Sequence, residues 1–133
     1  MRIDERVRNK VVIIEPKGRL TVETEMEFTE TIRRLLDAGR TRLVLNLADV
    51  PYIDSCGLGA IAHAYVSSWR RGGALKLLNV ERRNRYLLTI TKLLTVFEAY
   101  DSEDDAERSF DAHWPPVTTA TRREHQRMSD PVL

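Results

Sequence analysis

The amino-acid sequence predicts an α/β protein: a single domain with a mixed, mostly parallel sheet of about four to five strands and about four helices. Short apolar runs alternate along the chain with amphipathic segments of helical period, which favours a parallel sheet with helices packed on it. With 42% hydrophobic and 31% charged residues, the 133-residue chain has the composition of one globular unit. We expect the domain to span residues 1–110 and the polar segment 111–133 to be a flexible C-terminal tail.

The first part of the chain is predicted to form a hairpin and then a helix. Residues 2–8 and 11–15 are short strand-like runs, and Asn9-Lys10 suits a two-residue turn between them. Pro16 and Gly18 are expected to end the second strand. The hairpin adds an antiparallel edge to the sheet. A helix is predicted over 22–38, where one face collects the apolar residues Phe28, Ile32, Leu35 and Leu36.

The middle of the chain is predicted to contain a buried strand and a second helix. Residues 42–47 form a nearly continuous apolar run, typical of a strand covered on both faces. The following helix is expected over 56–71, before the two glycines Gly72-Gly73. Its apolar face is predicted to consist of Leu58, Ile61, Ala62, Tyr65 and Trp69.

The last part of the domain repeats the alternation. A strand is expected at 74–80, a helix at 81–91 and a short strand at 95–100. The third helix is predicted to turn Tyr86, Leu87 and Ile90 inward. A closing helix follows, with Ser102 and Asp105 placed as in a capping box.

Charge and composition exclude several classes of function. The 21 Lys and Arg residues nearly balance 20 Asp and Glu residues, and a net charge of +1 offers no general attraction for nucleic acid. No apolar stretch reaches the roughly 18 residues of a membrane span, and the N-terminus lacks a signal-peptide core, so we expect a cytoplasmic protein without membrane insertion. The single cysteine and three scattered histidines predict neither a disulfide nor a metal site.

The segment "YIDSCGLGAI", residues 52–61, concentrates reactive side chains and glycines, but it lacks the partners that enzyme motifs need. "GLGAIA" matches a dinucleotide fingerprint, yet ten residues separate the preceding strand from Gly57. Ile53 stands where a hydrolase nucleophile elbow requires glycine. No cation follows Cys56 before Arg70, and no lysine follows the glycines, which argues against phosphatase and Walker loops. We therefore expect no catalytic residues and no cofactor.

Ser55 is a candidate substrate for an external kinase. It stands where an N-cap is expected, at the start of the second helix, and a helix N-terminus tolerates a phosphate through its free N–H groups and dipole. Phosphorylation would add about −1.5 to −2 charges beside Asp54, enough to repel a docked partner. The alternative is an ordinary helix cap with glycines that permit close packing. The residues alone leave both open.

The segment "LVLNLADVPYIDSCGLGAIAHAY", residues 43–65, resembles the motif of STAS domains, especially of bacterial anti-sigma factor antagonists. The upstream "VVIIEPKGRL" and the downstream "GGALKLLNV" and "LLTITKLLTVFEAYDSEDDA" extend the resemblance over about residues 2–110. The resemblance implies a STAS-like fold and a non-enzymatic signalling role in transcription regulation.

The resemblance also implies particular site residues and partners. Ser55 corresponds to the phosphorylated serine, and the unphosphorylated form would bind an anti-sigma factor with serine kinase activity, while a phosphatase would reverse the modification. Two alternatives share the fold: a STAS subunit of a membrane ABC transporter, and a scaffold or nucleotide-sensing STAS protein. The implied docking loop consists of Asp54, Ser55, Cys56, Gly57, Leu58 and Gly59.

Two positions depart from the family pattern. Cys56 occupies a position that is usually Ser or Thr, a small change in volume from which we expect little loss. Thr21, after "GRL", stands where many anti-sigma factor antagonists have an aspartate near the phosphorylation loop. This second departure affects the expected charge beside Ser55 more than the fold.

Overall fold

The computed structural model describes residues 1–111, and the predicted tail lies outside the described residues apart from Asp111. Ten elements follow one another in the order that the alternating pattern predicts. They are β1 (Arg2–Arg8), β2 (Val11–Lys17), α1 (Glu25–Asp37), β3 (Arg42–Asn46), α2 (Ser55–Arg70), β4 (Ala74–Leu78), α3 (Arg82–Ile90), a 3-10 turn (Leu93–Thr95), β5 (Ala99–Tyr100) and α4 (Glu103–Arg108).

The strands form one mixed sheet in the order β1-β2-β3-β4-β5. β1 is antiparallel to β2 and joined to it by the turn at Asn9-Lys10, both of which adopt positive φ. The other neighbouring pairs are parallel, so each needs a crossover connection. The predicted fold class, a mixed sheet of five strands with four helices, is confirmed.

Alternation along the strands divides the core between the two faces of the sheet. One face carries Val12, Ile14, Leu43 and Leu45 against the apolar sides of α1, α2 and α3. The opposite face carries a smaller cluster, which α4 covers. Its members are Val11, Ile13, Val44, Leu78 and Ala106, with Tyr100 and Phe110 packed against them.

Four strand boundaries differ from the prediction. β3 ends at Asn46 rather than at residue 47, and β4 ends at Leu78 rather than at residue 80. β2 continues through Pro16 to Lys17, and Pro16 pairs with Ile3 of β1. It lies beyond the residues of β2 that pair with β3, so its missing N–H leaves the parallel ladder intact. The strand expected at 95–100 is reduced to Ala99–Tyr100, because the residues before it form a 3-10 turn.

Of the three residues predicted on the inward face of α3, Leu87 packs against the core, but the other two do not. Tyr86 is 67% exposed and Ile90 58% exposed, whereas Asn84 and Leu88 are buried. The Asn84 side-chain amide donates a hydrogen bond of 2.8 Å to the Val50 carbonyl. This bond gives a partner to a carbonyl that would be costly to bury unsatisfied, and it lies on the buried face of the helix.

Trp69 also lies outside the predicted core. It is 69% exposed near the end of α2. The buried face of that part of the helix consists of the smaller side chains of Ala60, Ala64 and Ser68. The apolar spacing identified the helix and most of its core face correctly. Leu58 and Ile61 are buried, and Ala62 and Tyr65 pack against the core, so only Trp69 was placed wrongly.

Candidate functional site

The candidate site lies at the carboxyl end of β3, where the chain crosses to the start of α2. The segment after β2 runs beside this crossing: Leu20 N–H donates to the Tyr52 carbonyl at 2.9 Å, and Asp54 N–H donates to the Leu20 carbonyl at 3.2 Å. Leu20 and Ile53 form an isolated parallel bridge between the two segments. The turn that precedes α1 and the first turn of α2 are therefore neighbours.

Asp54 is the N-cap of α2, so the expectation that Ser55 caps the helix is wrong. One carboxylate oxygen of Asp54 accepts from Gly57 N–H at 2.8 Å, and the other accepts from Val22 N–H at 3.1 Å. The Gly57 hydrogen bond is the main reason why the pKa of Asp54 lies below its usual range, and Val22 N–H adds to it. Asp54 thus holds a negative charge between the two turns.

Ser55 is the first residue of α2 and is exposed to solvent. Cys56 and Gly59 of the predicted docking loop are also exposed. Gly57 and Leu58 are buried, with Leu58 only 7% exposed, so they shape the loop from beneath. The six predicted residues lie together at the start of α2, but only some of them are exposed to solvent.

The two glycines of the loop have different roles. A Cβ added to Gly57 would lie 2.1 Å from the Leu20 carbonyl oxygen, so only glycine permits this close approach. A Cβ added to Gly59 would meet nothing within 4 Å. Close packing therefore explains Gly57 and leaves Gly59 without a packing role.

Thr21 lies beside Asp54, in the turn before α1, and is buried. Its carbonyl accepts from Thr24 N–H and Glu25 N–H, and its hydroxyl accepts from Glu23 N–H at 3.3 Å. The hydroxyl thus stabilises the turn and places no charge next to Asp54. This matches the reduced local charge that the departure at residue 21 predicts.

A shallow depression of about 410 Å³ adjoins the start of α2. Beside it, the guanidinium carbons of Arg19 and Arg83 each lie 4.7 Å from the centre of the Tyr52 ring. We call these three residues the arginine–tyrosine stack. Sequence reasoning missed it because its members come from three separate segments. The depression is lined by Arg19, Thr21, Val22, Glu23, Thr24, Tyr52 and Asp54.

The Asp54 carboxylate is engaged by two backbone N–H groups, and His63 is an exposed residue farther along α2. Residues 1–111 contain no cluster of three or more His, Cys, Asp or Glu side chains able to hold a metal. None of the helices in this part of the chain has the length and apolar character that crossing a bilayer requires.

Comparisons with known proteins agree with this picture. A model of the STAS domain family matches residues 2–106. A Thermotoga neapolitana protein named "Putative anti-sigma factor antagonist TM1081 homolog" is 32% identical over 97 residues, which are 72% of this chain and 86% of the relative. The anti-sigma F factor antagonist of Paenibacillus polymyxa is 28% identical over 93 residues, or 66% of this chain and 80% of that one. A crystal structure described as "a putative anti-sigma factor antagonist (tm1081)" from Thermotoga maritima has a TM-score of 0.78 at 27% identity. The match covers 81% of this chain and 93% of that one.

Proposed function

The chain belongs to the STAS domain family, and from that premise we propose that it is an anti-sigma factor antagonist switched by phosphorylation of Ser55. The observation that carries the proposal is the exposed Ser55 hydroxyl on the first residue of α2, next to a charged and firmly held Asp54. The names of the similar proteins support an anti-sigma factor as the partner. In this role the domain is a non-enzymatic, cytoplasmic regulator of transcription that needs no cofactor.

The anti-sigma factor in this proposal is also the kinase. It transfers the γ-phosphoryl group of ATP to the Ser55 oxygen: the bond to ADP breaks, a phosphoester forms, and the hydroxyl proton passes to a base of the kinase. A phosphatase hydrolyses the phosphoester with water and restores the hydroxyl. Because the kinase must reach the Ser55 oxygen, it covers the surface around the start of α2.

The docking surface combines the exposed positions of the loop with the turn before α1. Ser55, Cys56 and Gly59 are exposed along the first turns of α2. Val22, whose N–H donates to Asp54, is 60% exposed and adds an apolar contact beside them. The first turn of α2 contains no acidic residue, so the N-cap Asp54 is the acidic side chain that a partner meets at this helix start.

Phosphorylation changes this surface by charge. A phosphoserine adds about −1.5 to −2 charges and three acceptor oxygens at neutral pH. The new charge lies one residue from the Asp54 carboxylate and adds to it, so a partner that fits the unphosphorylated loop would be repelled. The fold need not change, because the contacts of Asp54 and Gly57 lie beneath the exposed hydroxyl.

The test uses the full chain, a purified candidate anti-sigma factor and ATP. Mass spectrometry locates any phosphate, and calorimetry compares binding by wild type, Ser55→Ala, Ser55→Asp and the phosphorylated protein. We expect Ser55→Ala to bind like wild type, and Ser55→Asp and the phosphorylated form to bind at least about tenfold more weakly.

Ser67→Ala is the matched control, since this serine lies on the same helix away from the loop. It should bind like wild type. Equal binding by all forms, or phosphate at another residue, would contradict the switch. Binding of GTP or ATP by the domain alone would favour the nucleotide-sensing alternative.

A further inference from the structure

The arginine–tyrosine stack brings positive charge to the depression that Asp54 lines, since Arg19 and Tyr52 belong to both. Both Arg19 and Arg83 are exposed, and within residues 1–111 neither guanidinium forms an ion pair with a carboxylate. Other arginines of the domain, such as Arg6 and Arg8, are paired with Glu103. Two unpaired guanidinium groups held on one aromatic ring leave their hydrogen-bonding edges available to an anion.

The start of α2 cannot supply this charge by itself. The N–H groups of Gly57 and Cys56 already face the Asp54 carboxylate. Leu58 N–H donates to the Asp54 carbonyl at 2.8 Å, as the first regular bond of the helix. An anion arriving at Ser55 therefore meets a helix end where the cap already engages the N–H groups of Cys56 and Gly57, and it needs another counter-charge.

The backbone connects the stack to the start of α2. Tyr52 lies three residues before Ser55, and its carbonyl accepts from Leu20 N–H, the residue after Arg19. Arg19 and Asp54 line the same depression. Below the larger effects of the Gly57 and Val22 hydrogen bonds, the Arg19 charge also helps to lower the pKa of Asp54, which agrees with their proximity.

We propose that the arginine–tyrosine stack is the counter-charge for a phosphoryl group on Ser55. The ring of Tyr52 holds the guanidinium planes, and the N–H groups of Arg19 and Arg83 donate hydrogen bonds to the phosphate oxygens. This inference rests on the proposed phosphorylation of Ser55. It adds that the phosphoryl group is drawn over the depression, where it covers the surface at Thr21 and Val22 that a partner would otherwise contact.

Thr21 fits this arrangement. Asp54 and Glu23 already line the depression with negative charge, and the Thr21 hydroxyl adds none. An aspartate at this position would place a third carboxylate beside the phosphoryl group and offset one of the two guanidinium charges. Thr21→Asp is therefore a variant that should weaken the capture of phosphate without altering the stack.

The test installs phosphoserine at residue 55 during synthesis of the full chain, through an expanded genetic code. A ³¹P NMR titration then follows the second ionisation of the phosphate. A nearby guanidinium favours the dianion, so Arg19→Ala, Arg83→Ala and Thr21→Asp should each raise the phosphoserine pKa by about half a pH unit. Arg19→Lys should fall between wild type and Arg19→Ala, because it keeps the charge and loses the fork.

Two matched controls separate this role from general effects. Arg40→Ala removes an exposed arginine before β3, at the other end of the strand from Ser55, and should leave the titration unchanged. Tyr52→Phe keeps the aromatic ring and should titrate like wild type, whereas Tyr52→Leu should resemble the arginine variants.

Two results would overturn the proposal. One is an unchanged ³¹P titration in both Arg19→Ala and Arg83→Ala. The other is movement of the Arg19 and Arg83 Nε–H signals with inorganic phosphate on the unmodified protein but not with phosphoserine at residue 55, which would assign the stack to a free anion. Since the phosphoserine is installed without a kinase, neither result depends on whether an anti-sigma factor modifies Ser55.

Discussion

Helices α2 and α4 both begin at a side-chain cap, but different forces hold their first turns in place. Asp54 accepts from Gly57 N–H at 2.8 Å in α2, and Ser102 accepts from Asp105 N–H at 3.3 Å in α4. The first turn of α2 has no acidic residue, whereas that of α4 has three in a row from Glu103. Acidic side chains therefore occupy the first turn of α4 but not that of α2.

The contacts beneath the two starts differ in kind. Gly57 of α2 lies against the backbone of Leu20, where even one added carbon does not fit. The start of α4 is held to the hairpin by side-chain ion pairs, with Glu103 2.5 Å from Arg6 and 2.9 Å from Arg8. Close backbone packing secures α2 while leaving the Ser55 hydroxyl in solvent. A helix start can therefore be held by contacts with the protein interior while its exposed side chains remain available for other contacts.

The largest effect is expected from Gly57→Ala. The new methyl group would meet the Leu20 carbonyl oxygen at 2.1 Å, a backbone atom that no rotamer change can move. We expect the free energy of unfolding to fall by about 3 kcal/mol, as for other overpacked sites. Urea denaturation followed by circular dichroism measures the change.

Gly59→Ala is the matched control for this substitution. Nothing lies within 4 Å of the added Cβ, and alanine is the better helix former, so stability should rise by about 0.5 to 1 kcal/mol. Equal losses in the two variants would show that α2 is not held by the approach to Leu20.

An intermediate effect is expected when the caps are removed. Asp54→Ala loses the bonds from both Gly57 N–H and Val22 N–H, and should lower the melting temperature by several degrees. Ser102→Ala loses one longer bond and should cost only about 0.5 kcal/mol, because ion pairs still hold α4. Thermal melts of both variants at pH 7 make the comparison.

Asp54→Asn separates the cap from its charge, since the amide oxygen still accepts one hydrogen bond. It should melt between wild type and Asp54→Ala. If Ser102→Ala were the more destabilising of the two alanine variants, the result would contradict our interpretation that the Asp54 cap contributes more to stability.

The smallest effect is expected from the ion pairs of α4. The hydrogen bond from Arg6, and then that from Arg8, holds the pKa of Glu103 below its usual range. A lowered folded-state pKa means that this stabilisation is present above the unfolded-state pKa and is lost as the pH falls through the folded-state pKa. Glu103→Gln should cost about 0.3 kcal/mol at pH 7 and low salt. Denaturation at pH 7 and pH 3 should show a smaller acid-induced loss in the variant than in wild type.

Glu30→Gln is the control, because Glu30 pairs only with Arg33 of its own helix among residues 1–111. It should change stability less than Glu103→Gln, and high salt should shrink the difference between them. An acid-induced loss in Glu103→Gln as large as that of wild type would mean that the ion pairs do not stabilise α4.

Local patterns predicted most of the fold correctly. The hairpin, the buried third strand and the four helices follow from apolar period and from turn residues such as Asn9 and Gly72. The exceptions have physical causes. On α3, Tyr86 and Ile90 are exposed although apolar period placed them inward, whereas Asn84 is buried and donates a hydrogen bond to the Val50 carbonyl. Apolar period does not report a polar contact between distant segments.

The sequence by itself determined the order of strands and helices, the loop with Ser55 at a helix start, and the absence of the partners that an enzyme motif would need. Only the tertiary structure decided which of the loop residues are exposed, that Asp54 caps α2, and that Gly57 meets Leu20. It also brought Arg19, Tyr52 and Arg83 together. The reason is that periodicity and capping act within a few residues, whereas these contacts join segments that meet only when the sheet and its crossovers have formed.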